Sequence, residues 1–342
     1  ANNQSSKIWK WLKTATSPSG LYSLHVYSAS DAKNVISLWE NVFGQKMTKT
    51  WWHWKYHESP NAPAGIVAYN QKEEALAFYG GLPMDAIHGT EKVRITQIVD
   101  NMAHPQYRKF IKGRKSLFVE SAEAFYDKYE HEGTTIFHYG FPGVKNFKLH
   151  RLLLNLEPLP NPLIFLELNP KRKKSNIWYS FFRITQHTKS PADADKFWAK
   201  VEGSFPLAVI RDSRFLRWRF DAHPNNTYRW FCLRDLRNSL LAWAVVRMIE
   251  QTAVIVDICS VNNTKHIQRL LFFVQGVLEE EKITPIKIWI TKTHFITEAL
   301  LLSGFVEKPE PLGIRGIYRN NKHLGNADLN NFYLTMADAD LL

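Results

Sequence analysis

The second half of this chain repeats the first in order, and that repetition limits the folds it can adopt. Trp54-Lys55-Tyr56 with Pro60 is echoed by Trp218-Arg219-Phe220 with Pro224. Trp54 and Trp218 are 164 residues apart, and so are Met84 and Met248. Between these marks each half reads as a β-hairpin, over 65–84 and 228–248. A central strand follows in each, carrying Asp100 in the first and Asp257 in the second. A helix and a fifth strand come next. Leu152-Leu153-Leu154-Asn155 is then matched by Leu300-Leu301-Leu302-Ser303. Each echo is weak alone, but their preserved order is hard to obtain by chance. A chain of 342 residues also suits two domains, at roughly 100–200 residues each.

The stretch richest in chemistry runs from Val93 to Tyr129. Residues 93–102 are enriched in β-branched side chains and read as a strand, which His104-Pro105 ends because proline has no N–H to give. A basic run follows, with cations at Arg108, Lys109, Lys112, Arg114 and Lys115 around Gly113. From Leu117 the apolar residues Phe118, Ala122, Phe125, Tyr126 and Tyr129 fall at helical spacing. Strand, basic glycine-containing loop and helix together suit a phosphate, because free N–H groups and the dipole at a helix start favour an anion. A solvated basic turn is the plain alternative, since strand–turn–helix units are common. In the second half the corresponding turn, after Asp257, reads Ile258-Cys259-Ser260-Val261-Asn262-Asn263-Thr264-Lys265, with no glycine and a single cation. A phosphate cradle needs close backbone approach and several donors. The first copy is therefore expected to hold the ligand, and the second to wall the acceptor site.

These residues resemble the GNAT superfamily of acyl-CoA N-acyltransferases. Ala103-His104-Pro105-Gln106-Tyr107-Arg108 is similar to the family's V-x-P-x-Y-R lead-in, with alanine for valine. Arg108 stands at its Arg/Gln position and Gly113 at its final Gly/Ala, while Ile111 replaces the middle glycine. Gly140-Phe141-Pro142-Gly143 is similar to a Gly-Phe-Pro-Asn segment in a tandem-domain branch linked to polysaccharide assembly. The resemblance implies an α+β (mixed α/β) chain of two tandem GNAT-like domains, each a twisted, mostly antiparallel sheet flanked by helices. It implies acetyl-CoA, or another coenzyme A thioester, as acyl donor. Arg108, Lys109, Lys112, Gly113 and Arg114 would take the pyrophosphate, and the backbone of Asn101, Met102 and Ala103 the pantetheine arm. Asn146, the amide nearest Gly143, is a further candidate contact, with a helix N-cap as the alternative. The expected domains are an N-terminal arm (1–20), a cofactor-binding domain (21–158), a proline-punctuated linker (159–176), a degenerate second domain (177–320) and a tail (321–342).

An amine attacking a thioester needs a base, an N–H to steady the oxyanion and an acid for the leaving thiolate. Asp100, His104 and His138 are the candidate bases. The family's helical tyrosine acid is missing, with Phe147 and Leu149 in its place, and Tyr139 is the substitute. Cys232 and Cys259 lie in apolar runs and read as buried thiols, with no disulfide or zinc spacing. Asp338 and Asp340 in the tail read as a solvated acidic end, with an amine or metal site as the alternative.

The expected partner is a small-molecule amine such as an amino sugar, taken by a cytoplasmic monomer or homodimer. No apolar run approaches the ~18 residues of a membrane span. A net charge of +12 suits anionic ligands in general, including nucleic acid. Tryptophans that recur at matching places in both halves favour core packing over base stacking, so nucleic acid is disfavoured. A non-catalytic protein of the same fold, binding a ligand or partner, is the remaining alternative, supported by Ile111 and the missing acid.

Overall fold

Apolar spacing and capping set where the elements begin and end. A computed structural model of the chain describes residues 15–16, 22–107, 116–131, 135–169, 182–320 and 326–340. Strands β1 (Ala15–Thr16) and β2 (Ser23–Val26) precede helices α1 (Ala32–Phe43) and α2 (Lys49–His57). Then come β3 (Ala64–Tyr69), β4 (Ala75–His88), β5 (Glu91–Ala103), α3 (Leu117–His131), β6 (Phe137–Gly140), α4 (Val144–Leu154), β7 (Glu157–Pro158) and β8 (Leu163–Leu168). The chain continues through β9 (Phe182–His187), α5 (Ala194–Val201), β10 (Leu207–Val209) and α6 (Ser213–Leu216), which runs into a π-helical turn at Arg217–Asp221. Next are β11 (Arg229–Asp235), β12 (Leu240–Ile249), β13 (Thr252–Ser260), α7 (Thr264–Glu280), β14 (Ile286–Thr291) and α8 (Phe295–Leu302). Last are β15 (Val306–Lys308), β16 (Ile317–Asn320), α9 (Asn326–Leu329) and β17 (Phe332–Tyr333).

These elements form two compact units. The first is Ala1–Met84, Arg94–Glu157 and Ile317–Leu324; the second is Asp85–Val93, Pro158–Gly316 and Gly325–Leu342. Both have a mostly antiparallel sheet flanked by helices, as the sequence implies. In each, a helical stretch (α2; 213–221), a hairpin (β3–β4; β11–β12), a central strand (β5; β13), a helix (α3; α7), a strand parallel to the central one (β6; β14) and a helix (α4; α8) follow in the same order.

In the first unit the hydrogen-bonded order is β1-β2-β3-β4-β5-β6-β16-β7. Helix α1 buries Val35 and Leu38 and stops at Gly44, whose φ of 69° places it in the left-handed region. Thr48 caps α2 by accepting from the Trp51 N–H at 3.1 Å. The Gly80-Gly81-Leu82-Pro83 stretch has the composition of a turn but lies inside β4, which runs to His88. The glycines serve close packing rather than a turn. A Cβ at Gly80 would lie 2.6 Å from the Phe78 ring and 2.8 Å from the Val99 carbonyl oxygen, and one at Gly81 2.8 Å from the Phe125 ring.

In the second unit the order is β15-β8-β14-β13-β12-β11-β9. Residues 163–168, expected within a linker, form β8 beside β14, because Ile164, Phe165, Leu166 and Leu168 have a core to enter. The basic run 171–174 and the arm residues 7–13 lie outside the described residues. Ile317–Asn320, expected to close the second domain, instead pairs antiparallel with β6 in the first unit.

Of the two tail carboxylates expected in solvent, Asp340 is exposed, but residues 332–339 are buried and Asp338 is 2% exposed. Arg211, itself 0% exposed, reaches Asp338 at 2.6 Å and Asp257 at 3.2 Å. The Thr335 hydroxyl and Trp243 Nε1 also donate to Asp257, at 2.9 and 3.0 Å. The Thr291 N–H donates to the Leu334 carbonyl at 3.1 Å and the Tyr333 hydroxyl to the Ile258 carbonyl at 2.6 Å. Charge pairing thus carries an apolar, weakly periodic segment into the core.

Two outcomes follow from this packing. Gly80→Ala should lower stability by about 1–3 kcal/mol in urea titrations. Gly143→Ala, where a Cβ meets nothing within 4 Å, should cost less, about 0.5–1 kcal/mol, the difference between glycine and alanine at the N-cap of α4. Burial, with Arg211 adding repulsion, holds the His294 imidazole down at about 3, against a hydrogen bond to the Ser204 backbone. An imidazole that the fold keeps from protonating contributes stability above pH ~6.5, and that contribution is lost as pH falls toward 3. Lowering pH from 7 to 5 should therefore remove about 2 kcal/mol through His294. His294→Asn, whose side-chain oxygen can still cap Ile296, should flatten that loss in denaturation measured at both pH values.

Candidate functional site

The central strand of the first unit outruns its parallel neighbour. The β5–β6 register pairs Thr96 with His138, Gln97 with Tyr139 and Ile98 with Gly140. There β6 ends and the chain leaves through Phe141-Pro142, while β5 continues five residues to Ala103. The two strands thus part in a fork lined on one side by 99–103. On its other edge β5 stays tied to β4, the His104 N–H donating to the Leu76 carbonyl at 2.7 Å. Past His104-Pro105 the chain turns, and α3 starts at Leu117. Ser116 Oγ accepts from the Val119 N–H at 3.4 Å, the geometry of a helix N-cap. Strand and helix thus flank the basic loop as the sequence implies. Arg108, Lys109, Lys112, Gly113 and Arg114 themselves lie outside the described residues.

Asp100 sits where the fork opens, with a φ of 50°, a left-handed step inside a strand. Its carboxylate is occupied. Lys55 Nζ is 2.6 Å from Oδ2, the Tyr56 hydroxyl donates to Oδ2 at 2.6 Å, and Trp39 Nε1 donates to Oδ1 at 3.3 Å. The Lys55 and Asp100 side chains are only 1% and 8% exposed. Asn101 points back to β4, its Oδ1 accepting from the Gly80 N–H at 3.1 Å. Met102 and Ala103 are buried. The half-buried His104 follows them, its ring 5.7 Å from that of Tyr107.

The other candidates lie deeper. His138 is fully buried, edge-on to Phe125 and Tyr126 at 5.6 and 5.1 Å, with Nδ1 4.0 Å from a Glu130 oxygen. Tyr139 is also fully buried, its ring 5.9 Å from Phe141. Neither meets an incoming amine unless the core opens. Asn146 is not the N-cap of α4; Gly143 is, in extended conformation. The Asn146 carbonyl accepts from His150 Nδ1 at 2.7 Å, which fixes the proton on that nitrogen. Burial lowers the His150 pKa, although the Asn146 carbonyl acts the other way.

A solvent-open groove of about 1000 Å³ lies in the second unit, along β9, lined by Arg183, His187, Lys189 and Arg234. Two of those cations are already engaged. Arg234 pairs with both Asp193 oxygens at 2.7 Å, and Lys189 donates to the Asp221 carbonyl at 2.9 Å. The start of α5 borders the groove, but its N-cap residue Asp193 is the carboxylate that Arg234 already holds.

Neither a family model nor a curated protein matches the sequence. Solved structures do match the fold. A conserved protein of unknown function from Enterococcus faecalis V583, a probable N-acyltransferase, superposes with a TM-score of 0.64 at 11% identity, over 88% of this chain and 72% of that one. N-myristoyltransferase from Saccharomyces cerevisiae, with myristoyl-CoA bound, gives 0.56 at 10%, over 88% and 82%. The GCN5-related glucosamine N-acetyltransferase region of a fungal multi-domain β-N-acetylglucosaminidase gives 0.56 at 12%, over 87% and 38%. The chain has the GNAT fold.

Sequence reasoning missed the partners of Asp100. Lys55 and Tyr56 were legible only as a repeat mark, because a short aromatic helix with a lysine inside gives no sign that the lysine turns inward. His150 was missed as well, although a histidine four residues after Asn146 on one helix face is a readable i,i+4 pair.

Proposed function

We propose that this chain is an acyl-CoA-dependent N-acyltransferase that takes its donor in the first unit. One observation carries the reading: β5 runs past the end of β6 beside the start of α3, so strand backbone and a helix N-terminus flank the same basic loop. The pantetheine arm would run along Asn101–Ala103 and the pyrophosphate would meet Arg108, Lys109, Lys112, Gly113 and Arg114. The donor is acetyl-CoA and the acceptor a small amine such as an amino sugar. The glucosamine N-acetyltransferase of shared fold supports that class. The amine attacks the thioester directly. His104, half-buried beside the fork, is the group best exposed to exchange a proton there. The two units are tandem copies, the second degenerate.

A second reading has its own support. With Asp100 clasped and His138 and Tyr139 in the core, the chain suits a protein that binds an acyl-CoA or another ligand without turnover. Calorimetry with coenzyme A should show binding that Arg108→Ala and Gly113→Glu each weaken at least tenfold, since a charge-assisted hydrogen bond contributes about 1.5–3 kcal/mol. Thiol release from acetyl-CoA across a panel of amines, hexosamines included, then separates the readings. Binding with no release anywhere on the panel favours the second. No binding at all, with steeply salt-dependent affinity for RNA or DNA, sinks both.

A further inference from the structure

Both central strands carry a buried aspartate, and both hold it the same way. Asp100 meets a cation (Lys55), a hydroxyl (Tyr56) and an indole N–H (Trp39). Asp257 meets a cation (Arg211), a hydroxyl (Thr335) and an indole N–H (Trp243). The donors come from different elements in the two units, so similarity of the surrounding helices does not explain the match. Each aspartate also marks an irregular step in its strand. Asp100 has φ 50°, and the β12–β13 register shifts between Val245, opposite Asp257, and Val246. The second copy keeps this clasp although its turn lacks the glycine and cations that a diphosphate needs. A clasp common to both units, built on donors from different elements, points to a role other than proton transfer.

We infer that Asp100 is a positioning residue: clasped by Lys55, it fixes the left-handed step that carries Asn101, Met102 and Ala103 along the open side of the fork. Aspartate is among the few residues that tolerate this conformation, and the three donors offset its strain. Tyr56, whose hydroxyl holds the Asp100 carboxylate, packs against β4 at Gly80, where a Cβ would stand 2.9 Å from that hydroxyl. Asn101 adds the second tie, through the Gly80 N–H. What the strand then binds rests on the acyl-transfer reading; the holding of the strand does not.

The test compares Lys55→Met, Asp100→Asn and the double variant with the unaltered chain. It reads amide hydrogen exchange at 101–103, coenzyme A affinity, and kcat and KM for acetyl-CoA against pH. Positioning predicts that both single variants speed exchange at 101–103 and weaken coenzyme A by a similar factor, on the order of tenfold. KM should rise while the pH dependence of kcat keeps its shape. The double variant leaves no lone buried charge, so it should unfold cooperatively yet still exchange fast at 101–103. Two results overturn the inference. One is Asp100→Asn with unchanged exchange and affinity but collapsed kcat, the signature of a proton acceptor. The other is a double variant whose 101–103 amides exchange as in the unaltered chain. If the unaltered chain binds no coenzyme A, the acyl-transfer reading falls, and the exchange comparison still decides this one.

Discussion

The structure depends on two carboxylates set almost out of reach of water in the middle of its two sheets. An uncompensated buried charge costs several kcal/mol, so each must bring its donors with it. That requirement organises the neighbourhood. In the first unit it turns Lys55 and Tyr56 of α2 inward and brings the Trp39 indole across from α1. In the second it draws in Arg211 and Thr335, and through Arg211 the carboxylate of Asp338. A purely apolar core of the same volume is often as stable as a buried ion pair. What the pairs add is register, since a one-residue slip of either central strand would strand a charge in the core.

Register matters because the fork is a matter of where pairing stops. Parallel strands joined through a helix need not end together, and here β6 stops at Gly140 while β5 continues. Pro142 cannot donate to a ladder, so the exit of β6 is abrupt. Five further residues of β5 keep one edge bonded to β4. Among the described strands, β5 thus extends beyond the end of β6 on the side that leads into α3.

Much of this was legible because it is periodic or repeated. The helix over 264–280 shows in Ile267, Leu270, Leu271, Val274 and Leu278, all buried, and the strand at Ile286–Thr291 shows as an apolar run bounded by proline. The order of elements in each half was readable from echoes too weak to trust singly. Long-range choices were not readable. Gly80-Gly81 has the composition of a turn, but its function is to let Phe78 and Phe125 lie against the strand. Pro158, Pro160 and Pro162 signal a linker, yet directly after Pro162 a strand of six residues finds a partner in the second sheet. Asp338 looks solvated until Arg211, 127 residues away, is seen beside it. At the site, the strand and helix around the basic loop were foreseeable from local pattern. The clasp on Asp100 was not, because it joins three helical residues to one strand residue 44–61 positions on.

The tail explains why two copies of one fold need not do the same thing. In the second unit β13 and β14 pair at Ala253–Ile286, Val254–Lys287 and Ile255–Ile288 and then part, as β5 and β6 do. Residues 333–335 lie along the parting strands, bonded to Thr291 on one and to Ile258 and Asp257 on the other. Tyr333, Leu334 and Thr335 are each fully buried there. Tyr333–Thr335 thus fill the gap between the parting strands, the Leu334 carbonyl bonded to the Thr291 N–H on β14 and the Tyr333 and Thr335 hydroxyls bonded to β13. Of the charges that hold that segment in place, Asp257 sits on β13 two residues past its last pair with β14, as Asp100 sits on β5 two residues past its last pair with β6, while Arg211 and Asp338 come from elsewhere in the second unit. A buried carboxylate at one strand position thus gathers different partners in the two units: residues of two helices around Asp100, and the buried tail around Asp257.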